Sequence, residues 1–175
     1  MDGTTNLIHD FRNSAVSLGL CDKGEMICGV VYQPFSGEVF HAVRGEGACL
    51  NQKTIHVSSA VSMAESLISI GTTPYEHEYA DRNFEIFKKV FLDCQDIRRI
   101  GSAAIELCFV ACGRLEAFFE MNLKPWDYAA GLLIIEEAGG SVTDFEGRKP
   151  QPWKRGNIVG SNGRLGQILV EQYMN

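Results

Sequence analysis

Residues 128–138 read YAAGLLIIEEA, a run that would be apolar on nearly every side of a helix and that stops at Gly139-Gly140. The preceding Pro125 and Trp126-Asp127 are typical of a helix start, and the glycine pair is typical of a stop. A helix that is apolar almost all round has no face to present to solvent and is therefore buried. The sequence thus predicts a layered core with this helix inside it.

The first half of the chain is rich in hairpin signals. Three apolar runs, AVSLGL, EMICGVVYQP and SGEVFHAV, occupy residues 15–43 and are separated by turn residues, which predicts strands joined by hairpins. Strands and helices alternate in the second half. The predicted strands are ESLISIG, the short IRRI, RLEAFFEM, SVTDF and NIVGSN, and the predicted helices cover residues 76–94, 103–112, 126–138 and 163–173. This order predicts an α/β fold in α+β layers, with alternating helix and sheet layers and a mixed sheet.

One of these helices is expected to be amphipathic. Phe84, Phe87, Val90 and Phe91 recur at helical spacing within residues 76–94, with charged residues between them. We therefore expect all four side chains on the buried face of a surface helix.

Length and charge restrict the class of function. With 175 residues and no linker or repeat, we expect a single domain over residues 1–175. The net charge of -6 argues against nucleic acid as a partner, whereas surplus carboxylates suit divalent cations. With no apolar run long enough to span a bilayer and no secretory signal, we expect a cytoplasmic protein without a membrane partner. The six cysteines have neither zinc nor dense disulfide spacing, and we expect them to be reduced.

Two aspartates stand next to backbone that can hold an anion. Asp2 precedes Gly3 and Thr4, and Asp127 stands at the start of the apolar helix. Helix N-termini attract anions, so both sites could serve phosphate or metal chemistry. Each aspartate could equally be an ordinary helix cap, and Gly3 an ordinary turn glycine.

Two motifs far apart in the chain resemble the signatures of the inositol monophosphatase family. The first is Asp2-Gly3-Thr4-Thr5-Asn6, which is similar to the family pattern Asp-Pro-(Ile or Leu)-Asp-Gly-Thr-(Thr or Ser)-Asn. The second is Trp126-Asp127-Tyr128-Ala129-Ala130-Gly131 with a following Glu137-Ala138-Gly139-Gly140, which is similar to Trp-Asp-x-Ala-Ala-Gly and Glu-Ala-Gly-Gly. The RGEGA and GSAA segments also match, so the resemblance extends from Met1 to about Asn175.

The resemblance implies a magnesium-dependent, lithium-sensitive phosphomonoesterase. Asp2 and Asp127 would share a Mg²⁺ ion, and the carbonyl of Met1 would bind another. Gly3 and Thr4 would present their amides to the phosphate, and the Thr4 hydroxyl would orient the attacking water. These oxygen donors suit Mg²⁺, which keeps several waters, and paired metals lower the pKa of a bound water.

The resemblance also implies contacts to the rest of the substrate. Glu120 matches the position from which the family holds substrate hydroxyls, although an exposed acid at a strand end is the ordinary alternative. Ala103 corresponds to a backbone contact and Thr72 to a hydroxyl near the substrate. We interpret Trp126 as a packing residue.

Two basic features leave alternatives open. Lys124 stands where animal members tend to have histidine. The pair Arg98-Arg99 is either a phosphate patch or, more commonly for such a pair, surface charge or an oligomer contact.

The family pattern places an Asp-Pro pair and an acidic segment before the position of Asp2, whereas this sequence starts at Met1. We therefore expect a family domain without its N-terminal helices and first strands, weakly active or inactive as a monomer. The default substrate is inositol-1-phosphate, and a homodimer is expected. Alternatives are a phosphatase of fructose-1,6-bisphosphate or 3′-phosphoadenosine 5′-phosphate, or an inactive remnant that binds metal or a partner.

Overall fold

The computed structural model describes residues 1–174 and contains two five-stranded sheets. Sheet 1 is antiparallel throughout, and its strands neighbour one another in chain order. Its strands are β1 (Val16–Asp22), β2 (Glu25–Gln33), β3 (Glu38–Val43), β4 (Gly47–Leu50) and β5 (Lys53–Thr54). The hairpin series that the sequence predicts for residues 15–43 is therefore confirmed.

Sheet 2 is mixed. Its strands are β6 (Leu67–Ile70), β7 (Asp96–Arg98), β8 (Ala117–Leu123), β9 (Ser141–Thr143) and β10 (Gly156–Ser161), in the spatial order β7-β6-β8-β10-β9. Strand β6 is parallel to both of its neighbours, and the β8–β10 and β10–β9 pairs are antiparallel. The short strand β7 overlaps the IRRI segment at residues 97–100, so the strand predicted between the helices of residues 76–94 and 103–112 is confirmed.

Helices occupy the space between the sheets and the outer face of sheet 2. The helices are α1 (Thr4–Ile8), α2 (Ala80–Asp93), α3 (Ala103–Ala111), α4 (Pro125–Glu137) and α5 (Leu165–Tyr173). Helices α3 and α4 share one hydrophobic core with sheet 1 and one face of sheet 2, while α2 and α5 share a second core with the other face of sheet 2. The predicted layered α/β fold with a mixed sheet is thus confirmed, and α4 is the buried helix.

Helix α4 packs unusually closely on sheet 1. Gly19 of β1 and Gly29 of β2 lie directly opposite each other and face the helix. A Cβ atom on Gly29 would lie 2.8 Å from the carbonyl oxygen of Ala130. At Gly29 the backbone of α4 therefore occupies the space in which a side chain would stand, whereas at Gly19 an added Cβ atom would lie 3.6 Å from the Ala130 nitrogen, an ordinary contact distance.

The buried face of α2 differs from the expected one. Phe87 and Val90 are buried as predicted, but Phe84 is 66% exposed and Phe91 52% exposed. The buried face is instead completed by Asn83 and Ile86. Each helical residue rotates the side-chain direction by about 100°. The predicted apolar face of α2 therefore differs from the observed buried face by about one residue, and it lies closer to solvent.

The outer face of sheet 1 is apolar. Val16, Leu18 and Leu20 of the edge strand β1 point to this face and are 40%, 63% and 59% exposed. Apolar patches and open strand edges of this kind favour association with other protein surfaces. All six cysteines are free, and no helix among residues 1–174 combines the length and apolarity needed to cross a membrane.

We expect Gly29→Ala to destabilise the protein by about 1–3 kcal/mol, because the added methyl group overpacks the contact between β2 and α4. Urea unfolding followed by circular dichroism measures the change. The matched control is Gly156→Ala in β10, where the nearest atom to an added Cβ is Ile158 Cδ1 at 3.8 Å. Equal midpoints for the two variants would contradict the close packing described above.

Candidate active site

A cavity of about 280 Å³ opens where the N-termini of α1, α3 and α4 meet the end of β8 and the loop after β6. Of the eight residues that the sequence singles out, seven line it: Met1, Asp2, Gly3, Thr4, Ala103, Glu120 and Asp127. The eighth, Thr72, lies beside it and accepts a hydrogen bond from Nη2 of the cavity residue Arg99 at 3.0 Å. The structure therefore brings the predicted residues together from distant parts of the chain.

Asp2 is held by both its backbone and its carboxylate. Its backbone N–H and C=O pair with Ala15 at 2.9 and 3.0 Å. Its Oδ1 accepts the Gly3 N–H at 2.7 Å, and its Oδ2 accepts the Ser102 hydroxyl at 2.6 Å and the Ala104 N–H at 2.9 Å. Asp2 thus occupies the N-terminus of α3, where unpaired amides and the helix dipole favour a negative charge.

Asp127 faces the same cavity from the first turn of α4. Its Oδ2 accepts the N–H of Lys124 at 3.0 Å, so the side chain caps its own helix. Burial raises the pKa of Asp127, and the nearby charge of Asp2 raises the pKa further. The two carboxylates are therefore close enough to repel each other, and a cation between them would relieve that repulsion.

Glu120 lies in the middle of β8 and is buried rather than exposed. Burial raises its pKa to about 7, and the charges of Asp2 and Asp127 add to the effect. Its Oε1 accepts the Thr73 N–H at 2.9 Å, which holds Thr73 at a left-handed φ of 48°. The alternative of an exposed strand-end acid is wrong, because the side chain folds inward over Gly71, where a Cβ atom would meet its carboxyl carbon at 2.1 Å.

Gly3 is required by its own backbone conformation. It has φ 76°, and a Cβ atom there would lie 2.7 Å from the carbonyl oxygen of Asn13. Its N–H already donates to Asp2, while the neighbouring Thr4 is exposed at the cavity. The amide contacts to phosphate that were expected of Gly3 and Thr4 stay predictions.

Several cavity residues were missed by sequence reasoning. They are Gly71, Thr73, Tyr75, Arg99, Glu106, Lys124 and Trp126, of which only Arg99 had a functional alternative, as part of a phosphate patch with Arg98. One usable signal existed: Glu106 is a lone acid within the apolar helix segment AAIELCFVA. Its Oε1 accepts the Ser69 hydroxyl at 2.7 Å and the Ile100 N–H at 3.0 Å, and it is buried.

Comparison with known proteins agrees with this geometry. A family model described as "Inositol monophosphatase family" matches residues 1–174. The chain belongs to the inositol monophosphatase family. The family resemblance drawn from the two motifs is thereby confirmed.

The similar proteins include inositol monophosphatases and a protein named Nus factor SuhB. A "Nus factor SuhB" of Salmonella typhimurium is 42% identical over 170 residues, which are 97% of this chain and 63% of that protein. The inositol monophosphatase of Anabaena has a TM-score of 0.90 at 36% identity, with 97% of this chain and 67% of that chain covered. A staphylococcal inositol monophosphatase II with bound inositol monophosphate has a TM-score of 0.89 at 32% identity, with 99% and 67% covered. This member of the family thus spans 63% of the length of the SuhB relative.

The donor set of the cavity fits a hard cation that keeps much of its water. Asp2, Asp127 and the Met1 carbonyl offer only oxygen atoms, which Mg²⁺ prefers. Among residues 1–174, no group of three or more Asp, Glu, His or Cys side chains is arranged to enclose an ion. Mg²⁺ is commonly held by one or two carboxylates plus water and substrate oxygens, so the pair Asp2 and Asp127 fits this ion.

We expect stability to depend on the ionisation of Glu106. Burial raises its pKa to about 8, whereas the unfolded chain has the ordinary value of about 4.3. The folded state therefore keeps a proton that the unfolded state releases, and stability falls between about pH 4.5 and pH 8 by up to about 1.4 kcal/mol per pH unit. Glu106→Gln keeps a neutral acceptor and should remove this dependence.

Urea midpoints measured at intervals from pH 5 to pH 8.5 test the Glu106 prediction. The control is Glu46→Gln, which removes a carboxylate from an exposed turn. If the urea midpoints of the parent protein and of Glu106→Gln change with pH in parallel, the folded state does not hold a proton on Glu106.

Proposed function

We propose that the cavity is the active site of a magnesium-dependent phosphomonoesterase whose default substrate is inositol-1-phosphate. The observation that carries the proposal is the meeting of Asp2 and Asp127 in one cavity, from the two motifs that identify the family. The staphylococcal relative with bound inositol monophosphate supports the choice of substrate. Metal dependence is a property of the family that the oxygen donors here can support.

Asp2 and Asp127 would hold the metal, with the carbonyl of Met1 as a further donor. When bound, Mg²⁺ would supply positive charge for a dianionic phosphate and lower the pKa of a coordinated water. Asp2 is suited to this task because α3 and Gly3 fix the direction of its carboxylate before any ligand arrives. The exposed hydroxyl of Thr4 would orient the attacking water, and its amide would bind phosphate oxygen.

The remaining predicted residues would contact the body of the substrate. Ala103 would use its backbone at the start of α3, and Thr72 its hydroxyl. Glu120 would accept hydrogen bonds from substrate hydroxyls, and a pKa near 7 would leave it partly protonated in neutral solution. A substrate-binding carboxylate that also holds Thr73 would couple substrate contact to the loop after β6.

A nucleotide phosphatase is the second candidate function. One solved staphylococcal relative of 32% identity is described as bound to 2′-AMP, and the exposed Trp126 at this cavity could stack on a base. A phosphatase of sugar bisphosphates stays a third possibility. A panel of phosphate esters with released phosphate as the readout separates the three.

The domain organisation, oligomeric state, location and partner class of the protein are also proposed. Residues 1–175 would form one domain, and a homodimer stays a prediction from the family resemblance. Six free cysteines suit the reducing cytoplasm. The name Nus factor belongs to the SuhB relatives, and a net charge of -6 favours a small-molecule substrate here over nucleic acid.

Asp127→Asn and Asp2→Asn are expected to weaken Mg²⁺ binding and to lower phosphate release from inositol-1-phosphate at least about 100-fold below whatever rate the parent chain has. Calorimetry with Mg²⁺ and a phosphate-release assay measure the two effects, and EDTA should abolish the activity of the parent protein. The control Asp22→Asn removes the same charge at the exposed end of β1.

Two results would contradict the proposed site. One is activity that survives EDTA, and the other is Asp127→Asn protein that keeps both its Mg²⁺ affinity and its turnover.

A further inference from the structure

Two buried carboxyl groups line the cavity, and each uses only one of its oxygens for hydrogen bonds within the protein. Glu106 of α3 is 1% exposed, and its Oε1 accepts both the Ser69 hydroxyl at 2.7 Å and the Ile100 N–H at 3.0 Å. Glu120 of β8 is 8% exposed, and its Oε1 accepts the Thr73 N–H at 2.9 Å. In both residues, Oε2 is the oxygen that remains.

The two remaining oxygens are open to the cavity. Among residues 1–174, neither Oε2 of Glu106 nor Oε2 of Glu120 makes a hydrogen bond. In that same part of the chain, the one fully enclosed side-chain oxygen or nitrogen without a partner is Oγ1 of Thr143. The two Oε2 atoms are therefore not sealed by protein, and the cavity that their side chains line is the space they reach. A buried polar atom without a partner is costly, which favours a ligand group that bonds to it.

The end of β6 separates the two carboxyl groups. Glu106 binds the side chain of Ser69, and Glu120 folds over Gly71, two residues further along the chain. Two residues of extended chain span about 6.6 Å, and a hydroxyl group bonded to two oxygens bridges about 5.5 Å. The spacing therefore admits one hydroxyl group between the two carboxyl groups.

The two groups hold their protons differently. Burial raises the pKa of Glu106 to about 8, the charge of Glu120 adds to this effect, and the bonds from Ser69 and Ile100 and the charge of Arg99 oppose it. Burial raises the pKa of Glu120 only to about 7. In neutral solution Glu106 is therefore mainly a neutral acid, while much of Glu120 is ionised. Because Oε1 of Glu106 already accepts two hydrogen bonds, the proton belongs on Oε2.

We propose that Glu106 in its acid form donates a hydrogen bond from Oε2 to a hydroxyl group of the substrate, and that the same hydroxyl donates to Oε2 of Glu120. This inference rests on the proposed phosphatase function, in which Glu120 accepts from a substrate hydroxyl. A hydroxyl group both donates and accepts, so it satisfies a facing donor and acceptor together. An apolar group at this depth would leave both carboxyl groups without a partner. Glu106 is thus a specificity-determining residue that selects polyol phosphates over apolar phosphate esters.

Two esters with the same ring test the contact. Inositol-1-phosphate carries ring hydroxyls, and cyclohexyl phosphate carries none. With Mg²⁺ present, the ratio of their kcat/KM values measures the hydroxyl preference and cancels effects on metal and phosphate that both esters share. We expect this preference to fall about 3–10-fold in the parent protein between pH 7 and pH 9, because Glu106 loses its proton near pH 8. Circular dichroism at both pH values checks that the protein is folded.

Substitutions assign the pH dependence to Glu106. In Glu106→Gln, the amide oxygen can accept from Ser69 and Ile100 while the amide nitrogen donates into the cavity at every pH. Its hydroxyl preference should therefore be the same at pH 7 and pH 9. Glu106→Leu removes the donor and should lower the preference about 3–10-fold already at pH 7. The control Glu46→Gln, in an exposed turn, should keep the pH dependence of the parent protein.

The outcomes separate this contact from the proposed function. Hydrolysis with a preference that does not change between pH 7 and pH 9, or that Glu106→Leu leaves intact, overturns the contact while the phosphatase function stands. A purely structural Glu106 would give that second result, because its loss would affect both esters equally. If neither ester is hydrolysed, the phosphatase function fails, and calorimetry of both esters with Mg²⁺ gives the preference as a ratio of Kd values. A ratio that falls at pH 9 in the parent protein but not in Glu106→Gln would then support the contact, whereas equal binding or no binding would overturn it.

Discussion

Helix α4 can approach both of its neighbouring layers because glycines stand at the contacts. Gly29 carries no side chain where β2 meets the backbone of Ala130, and a Cβ atom added to Gly131 would lie 2.8 Å from Leu107 of α3. Helix α4 is thereby confined between sheet 1 and α3, and these contacts leave no room for an additional methyl group. Since Asp127 lies in the first turn of this helix, its distance from Asp2 follows from that packing.

Each cavity carboxylate also contributes to the local structure. Asp2 joins the first residues of the chain to the N-terminus of α3, Asp127 caps α4, and Glu120 holds the loop after β6. These hydrogen bonds favour the ionised carboxylates, while burial and mutual repulsion oppose ionisation at Asp127 and Glu120. Helix capping by Asp2 and Asp127 is therefore compatible with the proposed ligand binding, and the two interpretations of these residues do not exclude each other.

The predictable features were those with a strong local pattern. The continuous apolar run of α4, the hairpins of sheet 1 and the two motifs with Asp2 and Asp127 could be predicted because their causes lie within a few residues. The exposure of Phe84 and Phe91 depends on how α2 meets sheet 2, which the helical period does not determine. Likewise, Arg99 and Glu106 become cavity residues only because β7 and α3 fold next to β6 and α1.

The floor of the cavity is formed by residues at helix N-termini, and its rim is formed by residues on loops. Asp2 and Asp127 are anchored to helix N-termini, so a substitution there disturbs packing as well as chemistry. Arg99 and Tyr75 extend from connecting segments, and their side chains are exposed. Such positions can change without a cost to the core, because loops tolerate substitution better than the elements they connect. In the proposed phosphatase, selection among phosphate esters would therefore vary at the rim, while the floor would keep the geometry that hydrolysis requires.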